Sequence, residues 1–267
     1  MKRLIRIFPF ILLVMLSASG VKALDSRLDA NQQQAQYEHA PQTNATTLLA
    51  QQAIPQQSFK AANQLNVTVK EIAPYAQETE LQIVSLFKHK VAGDTLTASA
   101  AALDQALGGF ITTIRDRGEF VGDELETLLI VPPPNSIKPK LLLLIGLGEE
   151  KKLSLDTMHR VGTIALREAI RLKATHVSFA PLLRDQNNAT LDVGAVTKAV
   201  MQNVMLAYDT EKRLQKQGLA QPFTIREWVC EAGAAFYTES ISQVKQAIEL
   251  TNNQIVSRTS APYVSGR

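Results

Sequence analysis

The sequence contains a single cysteine, Cys230, among its 267 residues, so the chain cannot form an internal disulfide. Stability in an oxidising compartment must therefore come from packing, and a hydrophobic content of 45% is sufficient for a sizeable core. We interpret Cys230 as a small buried hydrophobe and not as a reactive thiol. The chain is thus expected to be globular at least in part.

The sequence also lacks an apolar run of the about 20 residues that a membrane-spanning helix needs. The run Ile7–Leu16 is short, follows three basic residues and precedes the small-x-small sequence Val21-Lys22-Ala23. This order is typical of a secretory signal peptide. We predict a signal peptide at residues 1–23, cleaved near Ala23, and a periplasmic or secreted protein. The alternative is an uncleaved N-terminal anchor, and only in that case do we expect membrane attachment.

A basic excess is missing once the predicted signal peptide is set aside. The whole chain carries a formal charge of +3, but Lys2, Arg3, Arg6 and Lys22 all lie in the signal peptide. Without these four, 24 basic residues face 25 acidic residues. The basic pI therefore belongs to the export signal, and we predict no nucleic-acid partner.

Composition divides the remainder of the chain. Residues 24–63 are rich in glutamine and alanine, with glutamine runs such as Gln32–Gln34, and bury too little apolar area to fold. We predict a flexible linker there, a folded domain at residues 64–258 and a disordered tail at residues 259–267.

Within the predicted domain the apolar period alternates between two and 3.6, which indicates alternating strands and helices. This order favours an α/β fold with a mixed, mostly parallel sheet. Lys140–Ile145 is apolar on both faces, as a central parallel strand should be. The predicted strands are Leu65–Val69, Leu81–Phe87, Thr127–Val131, Lys140–Ile145, His176–Ala180 and Thr224–Val229.

Four helical stretches separate or follow these strands. One begins near Thr97 or Ser99 and is expected to break at Gly108-Gly109. A second is capped by Ser154, and two more cover Asp192–Tyr208 and Thr238–Val256.

Sequence signals for chemistry are weak. Gly146-Leu147-Gly148 follows a strand, but Lys151 replaces the third glycine of a dinucleotide motif, and two glutamates would repel a phosphate. We therefore predict a tight turn. The four histidines, His39, His89, His159 and His176, show no paired metal-ligand spacing.

Arg115-Asp116-Arg117 could contact a partner, although a solvated helix end is the favoured interpretation. No G-x-S-x-G nucleophile elbow occurs. From the residues alone we predict no catalytic, cofactor-binding or metal-binding residue.

One block of sequence resembles a known family. Ala100–Gly109, Arg117–Gly122 and Glu126–Leu129 are followed by the strand ending in Gly146-Leu147-Gly148 and by the cap Ser154. This order is similar to the N-terminal domain of leucyl aminopeptidases, over approximately Leu65–Val256. The resemblance implies a macro-domain-like, three-layer sandwich with helices on both faces of the sheet.

In that family the two-metal hydrolytic chemistry sits in a C-terminal domain, and its NTDAEGR motif does not occur in this sequence. The resemblance therefore implies a non-catalytic, exported binding or assembly module without cofactor, acting through a protein partner or self-association. One alternative is an accessory part of a two-metal leucyl aminopeptidase whose catalytic half is a separate chain. A second is a macro-type binder of nucleotides or ADP-ribose.

Overall fold

The computed structural model describes residues 53–90 and 92–258. The predicted signal peptide, the larger part of the predicted linker and the predicted tail lie outside these residues. Within them the chain forms seven strands and five α-helices. The strands are β1 Gln56–Lys60, β2 Asn66–Glu71, β3 Leu81–Leu86, β4 Thr127–Ile130, β5 Leu141–Gly146, β6 His176–Ala180 and β7 Glu227–Ala232. The helices are α1 Ala98–Ala106, α2 Phe110–Asp116, α3 Leu155–Arg171, α4 Val193–Lys216 and α5 Tyr237–Ser257.

The strands form one sheet in the order β1-β2-β7-β6-β3-β5-β4. Strands β2, β7, β6, β3 and β5 pair in parallel, whereas β1 and β4 pair antiparallel at the two edges. The predicted mixed, mostly parallel sheet is therefore confirmed. Because the five central strands run the same way, their carboxyl ends meet at one edge of the sheet.

Helices cover the sheet on both faces, which confirms the predicted three-layer sandwich. Helices α3, α4 and α5 pack over one face, where Ile83, Leu143 and Trp228 join the larger hydrophobic core. Helices α1 and α2 lie over the other face, against Val84 and Leu144. Strands β3 and β5 are buried on both sides, as their apolar sequences require.

Two predicted helix boundaries are confirmed in atomic detail. Ser154 caps α3, since its Oγ accepts a hydrogen bond from the Thr157 amide at 3.2 Å. Gly108 and Gly109 have φ of +69° and +79°, so the helical backbone is interrupted there and α2 begins after the break. Helix α4 extends to Lys216, eight residues beyond the predicted end.

The folded region differs from the prediction at two strands. β1 lies inside the predicted linker, because Phe59 packs on the core and Ser58 Oγ is 2.9 Å from Thr68 Oγ1 on β2. β7 runs three residues further than predicted, to Ala232. Glu231, beyond the predicted end at Val229, is buried within the strand.

Candidate ligand-binding cavity

A cavity of about 250 Å³ lies at the carboxyl edge of the sheet. It is placed where β2, β7 and β6 end, the position at which open α/β sheets commonly bind ligands. The first turns of α1, α4 and α5 contribute to its wall. The wall is mainly apolar and includes Ile72, Pro74, Pro181, Leu182, Val193, Val196 and Phe236.

Glu231, the penultimate residue of β7, is a buried carboxyl group in this wall, with 7% of its surface exposed. Burial raises the pKa of Glu231 to about 8, so the neutral form dominates at pH 7. Its Oε2 accepts a hydrogen bond from Gln82 Nε2 at 3.0 Å. Its Oε1 has no hydrogen-bond partner among the residues that the structure describes. Buried polar atoms in folded proteins are almost always hydrogen-bonded, so this oxygen is an exception that needs a physical explanation.

Two further polar side chains lie behind Glu231 on the same face of the sheet. Gln82 on β3 is directly opposite Ser178 on β6, and both are fully buried. Within the described region, Gln82 Oε1 and Ser178 Oγ also lack a hydrogen-bond partner. Sequence reasoning missed these residues, although a single polar residue inside an otherwise apolar strand is a usable signal.

Two of the three helix ends around the cavity, those of α1 and α4, already bind carboxylates of the same chain. Asp185 Oδ2 accepts from the Ala100 amide of α1 at 3.1 Å, and burial raises the pKa of Asp185. Asp192 Oδ1 accepts from the Ala195 amide of α4 at 2.8 Å. These carboxylates satisfy the amides that would otherwise attract an external anion.

The glycine-rich segment after β5 has its amides engaged in the same way. The amides of Gly146, Leu147 and Gly148 donate, in that order, to the carbonyls of residues 126, 86 and 122, at 2.8, 2.8 and 2.9 Å. A phosphate-binding loop requires free amides, so these three amides are not available to a phosphate, and the segment continues from β5 without the tight turn that the sequence predicted.

Comparison with known proteins decides the family. The family model for the N-terminal domain of the cytosol aminopeptidase family matches residues 83–216, which is half of the chain. The chain belongs to the cytosol aminopeptidase family. The matched residues run from β3 to the end of α4, so they include Gly146–Gly148 and the cavity walls from β6, α1 and α4, but not those from β2, β7 and α5.

Curated relatives in the family are similar to about half of this chain. The chain is 31% identical over 121 residues to a probable cytosol aminopeptidase of Thermosynechococcus vestitus, covering 45% of this chain and 23% of the relative. It is 30% identical over 139 residues to one of Alkaliphilus oremlandii, covering 50% of this chain and 27% of the relative. The chain therefore aligns with about a quarter of the length of these cytosol aminopeptidases.

Solved structures agree on the fold. A tomato leucine aminopeptidase variant superposes with a TM-score of 0.55 at 16% identity, over 72% of this chain and 37% of that one. An Oceanobacillus iheyensis macrodomain with MES bound superposes with a TM-score of 0.50 at 12% identity, over 74% of this chain and 99% of that one. The family domain thus has the macro-domain-like architecture expected from the resemblance.

The residues that resemble the family form a compact structural unit, which we call the motif corner: Gly122, Glu126 and Gly146–Gly148. The Glu126 carboxylate accepts from the amides of residues 121, 122 and 123 at 3.3, 2.7 and 3.0 Å. Gly122 has φ of +80°, and a Cβ there would lie 2.5 Å from the Phe87 carbonyl oxygen. The family motif in this corner therefore holds backbone segments together.

The interpretation of Arg115-Asp116-Arg117 as a solvated helix end is wrong for Arg115. This side chain is 1% exposed, and its Nε and Nη2 each donate to Asp94 at 2.9 Å, while Nη1 donates to the Phe87 carbonyl at 3.1 Å. Asp116 and Arg117 are exposed, as predicted. The guanidinium of Arg115 lies on the buried face of α2, where its hydrogen bonds to Asp94 compensate for the loss of water.

The histidines do not come together. His89 Nδ1 is 2.7 Å from Asp94 Oδ2, whereas His159 lies on α3 and His176 begins β6. His39 lies outside the described residues. Across residues 53–90 and 92–258, no group of three or more histidine, cysteine, aspartate or glutamate side chains is arranged to hold a metal ion.

Cys230 is buried, which confirms the sequence interpretation. Burial, with a smaller contribution from Glu231, raises the pKa of its thiol to about 12. The thiol therefore stays protonated at neutral pH and is a poor nucleophile. It packs with the larger core on the sheet face opposite to the Glu231 side chain.

Proposed function

We propose that the chain is an exported, non-catalytic binding module built on the N-terminal domain of the cytosol aminopeptidase family, with the cavity as its ligand site. One observation carries the proposal: a mainly apolar cavity at the carboxyl edge of the sheet contains the buried, half-paired carboxyl group of Glu231. Small-molecule sites combine an apolar wall with a few placed polar groups in this way.

The family motif supports a binding role in place of hydrolysis. Gly122 and Glu126 serve the backbone of the motif corner, and none of the wall residues of the cavity belongs to that corner. The described residues contain no metal-holding cluster. We therefore propose that the domain is a scaffold for the cavity and that it carries out no hydrolytic step.

A bulky substitution that fills the cavity tests whether the cavity is the ligand site. Gly233 lines it, has an ordinary φ of −73°, and a Cβ there would meet nothing within 4 Å. Gly233→Trp should therefore fold normally and fill the opening. The matched control is Ala235→Trp, two residues further along at an exposed position that does not line the cavity.

The experiment screens the full chain against a panel of uncharged, cationic and anionic fragments by ligand-observed NMR. We expect at least one fragment to bind the unmodified chain and the Ala235→Trp variant but not Gly233→Trp. If every fragment that binds does so equally to all three proteins, the cavity is not the ligand site and the proposal fails.

Export is part of the proposal and rests on the basic and apolar pattern of the first 23 residues. Among the residues that the structure describes, none of the helices combines the length and apolar character needed to cross a bilayer. N-terminal sequencing of the protein recovered from a periplasmic fraction should start near Leu24. An intact Met1 in a membrane fraction would instead support the uncleaved anchor.

A second candidate function follows from the family match. The relatives are cytosol aminopeptidases, so this chain could serve as an accessory part of a two-metal leucyl aminopeptidase whose catalytic half is another polypeptide. Co-purification of metal-dependent release of leucine from a chromogenic amide would support it. A monomeric, inactive protein by light scattering and assay would contradict it, whereas an inactive dimer would favour self-assembly.

The macro-type alternative, a binder of nucleotides or ADP-ribose, is less well supported. Asp185 and Asp192 already occupy helix ends beside the cavity, and the segment after β5 has no free amide for a phosphate. A thermal-shift titration with ADP-ribose should leave the melting temperature unchanged at millimolar ligand. A concentration-dependent increase would restore this alternative.

A further inference from the structure

Two hydroxyl groups in the wall of the cavity have no hydrogen-bond partner among the residues that the structure describes. They belong to Ser240, near the start of α5, and Thr197, near the start of α4. Ser240 is 2% exposed and Thr197 is 6% exposed, and both hydroxyl oxygens keep accessible surface, unlike the enclosed Oε1 of Glu231. Because both residues line the cavity and are otherwise buried, this surface opens into the cavity. A ligand can therefore pair with both hydroxyls.

The start of α5, which also borders the cavity, has no side chain to cap it. A short 3₁₀ turn, Ala234–Phe236, leads into α5, and Gly233 precedes it with φ of −73° and ψ of 157°, the extended geometry of a helix N-cap. Glycine supplies no capping oxygen, and no side chain within the described residues caps this start. The Ala235 amide donates no hydrogen bond to a described residue. The starts of α1 and α4 differ, because Asp185 and Asp192 bind their amides.

The position of the missing cap is open to the cavity. A Cβ on Gly233 would meet nothing within 4 Å, and Gly233 lines the cavity. An N-cap oxygen accepts from the amide of the second or third helical residue, here Ala235 or Phe236. A ligand oxygen can take that place. Since Gly233, Ser240 and Thr197 border a cavity of only about 250 Å³, one small molecule can contact all three.

Building on the proposed function, we infer that the cavity binds a small molecule with an apolar body and a carboxamide or carboxylate group that caps the start of α5 and pairs with the hydroxyls of Ser240 and Thr197. Both groups carry the planar oxygen acceptor that asparagine and aspartate present at natural N-caps. The partial positive charge of a helix N-terminus favours such an acceptor over an amine. Leu182, Val196 and Phe236 offer apolar contact to the body of the ligand.

The other polar side chains in the wall are engaged or enclosed. The Nη1 and Nη2 groups of Arg184 donate to the carbonyls of residues 188 and 191. Asp185 accepts from the Ala100 amide and the Ser99 hydroxyl. The unpaired oxygen of Glu231 has no accessible surface from which to reach a ligand. The polar contacts left to a ligand are therefore the two hydroxyls and the start of α5.

Three probes of one ring each suit a cavity of this size. Benzamide carries the expected group without charge, benzoate carries it with a negative charge, and aniline is uncharged at pH 7 but has no carbonyl oxygen. The test titrates each probe into the full chain at pH 7 and follows the backbone amides by NMR. We expect benzamide, benzoate or both to bind, and aniline to bind at least about tenfold more weakly. Exchange of the Ala235 amide with solvent should slow when the probe binds, because a capped amide is hydrogen-bonded.

Two substitutions remove one hydroxyl each without adding bulk. Ser240→Ala and Thr197→Val should each raise the dissociation constant of the bound probe about fivefold, as the loss of one hydrogen bond predicts. Neither should lower the melting temperature, because neither hydroxyl has a partner in the protein to lose. Ser242→Ala is the matched control, since Ser242 is exposed on α5 and does not line the cavity. Its affinity should equal that of the unmodified chain.

The variants that fill the opening separate this inference from the function on which it rests. Gly233→Trp should block the probes, and Ala235→Trp should not. Suppose that Gly233→Trp blocks binding but aniline binds as tightly as the other two probes, or both hydroxyl variants keep full affinity, or exchange of the Ala235 amide is unaltered. Each of these results would overturn the inference and keep the cavity as a site. Binding that Gly233→Trp leaves intact would place the probes elsewhere and contradict the inference. If none of the three probes binds, the inference fails, and the wider fragment panel with Gly233→Trp then decides the proposed function alone.

Discussion

The motif corner and the cavity lie at the same carboxyl edge of the sheet, after β5 and after β2, β7 and β6 respectively, but they differ in how their polar groups are paired. In the motif corner, Glu126 accepts three backbone amides, and the amides of Gly146–Gly148 donate to carbonyls. In the cavity, Glu231 has an unpaired buried oxygen. The motif corner, which carries residues of the family motif, is therefore closed, whereas Glu231 in the cavity wall lies beyond the residues 83–216 that match the family.

The largest effect is expected from crowding the motif corner. A Cβ at Gly146 would lie 1.9 Å from the Asp123 carbonyl oxygen, a contact that only backbone movement can relieve. Gly146→Ala should therefore cost more than about 4 kcal/mol or prevent folding. Gly233→Ala, at the cavity, should stay within about 0.5 kcal/mol, because its Cβ meets nothing within 4 Å. Urea unfolding of both variants checks this, and equal stability of the two would show that the corner is not tightly packed.

The ion pair between the buried Arg115 and the partly exposed Asp94, beside the motif corner, should give the next effect. Arg115→Met leaves Asp94 without its two guanidinium hydrogen bonds and frees the Phe87 carbonyl, so we expect a loss of about 3 kcal/mol in the free energy of unfolding. Arg117→Met is the control, since Arg117 is exposed and its contact with Glu119 is 3.9 Å long. A loss for Arg117→Met as large as for Arg115→Met would contradict the pairing.

The sequence predicted much of the buried strands and helix starts, but it did not predict the cavity. Apolar periodicity predicted β3, β5 and β6 because these strands are buried on both faces, and Ser154 marked a helix start because a hydroxyl cap acts locally. The pairing of Arg115 with Asp94 joins residues across a loop, and no local pattern records it.

The cavity could not be predicted for the same reason. Glu231, Gln82 and Ser178 lie on three strands that are far apart in sequence, and only the strand order β7-β6-β3 brings them together. A charged residue such as Glu231 inside a buried strand is uncommon, so the sequence gives little reason to expect one there. An isolated polar residue in an apolar strand is the one local sign that could have identified the cluster.

Glu231, in the wall of the cavity, should make the stability of the protein depend on pH. Glu231 has a folded pKa of about 8 against an ordinary value of 4.5, so the unfolded chain loses this proton first as pH rises. Its contribution to stability is therefore complete below pH 4.5 and is lost as the pH rises to about 8, with a slope of at most about 1.4 kcal/mol per pH unit. Glu231→Gln lacks this term, so its stability relative to the unmodified chain should grow by about 2 kcal/mol between about pH 5 and about pH 6.5. Parallel pH profiles of the two proteins would show that Glu231 is ionised in the fold.

The smallest effect is expected from a conservative change in the motif corner. In Glu126→Gln the amide oxygen can still accept from residues 122 and 123, as Oε2 does at 2.7 and 3.0 Å, but the new NH₂ group faces the Val121 amide, donor against donor. Loss of the charge-assisted bonds should lower the free energy of unfolding by about 1 kcal/mol. Glu119→Gln, on the exposed end of the same motif, should change it by less than about 0.5 kcal/mol. Urea unfolding at pH 7 resolves this difference, and because Glu126 does not line the cavity, binding of any fragment that Gly233→Trp excludes should be unchanged in Glu126→Gln. A joint loss of stability and binding would mean that the corner and the cavity are one coupled unit, and the contrast between them would no longer hold.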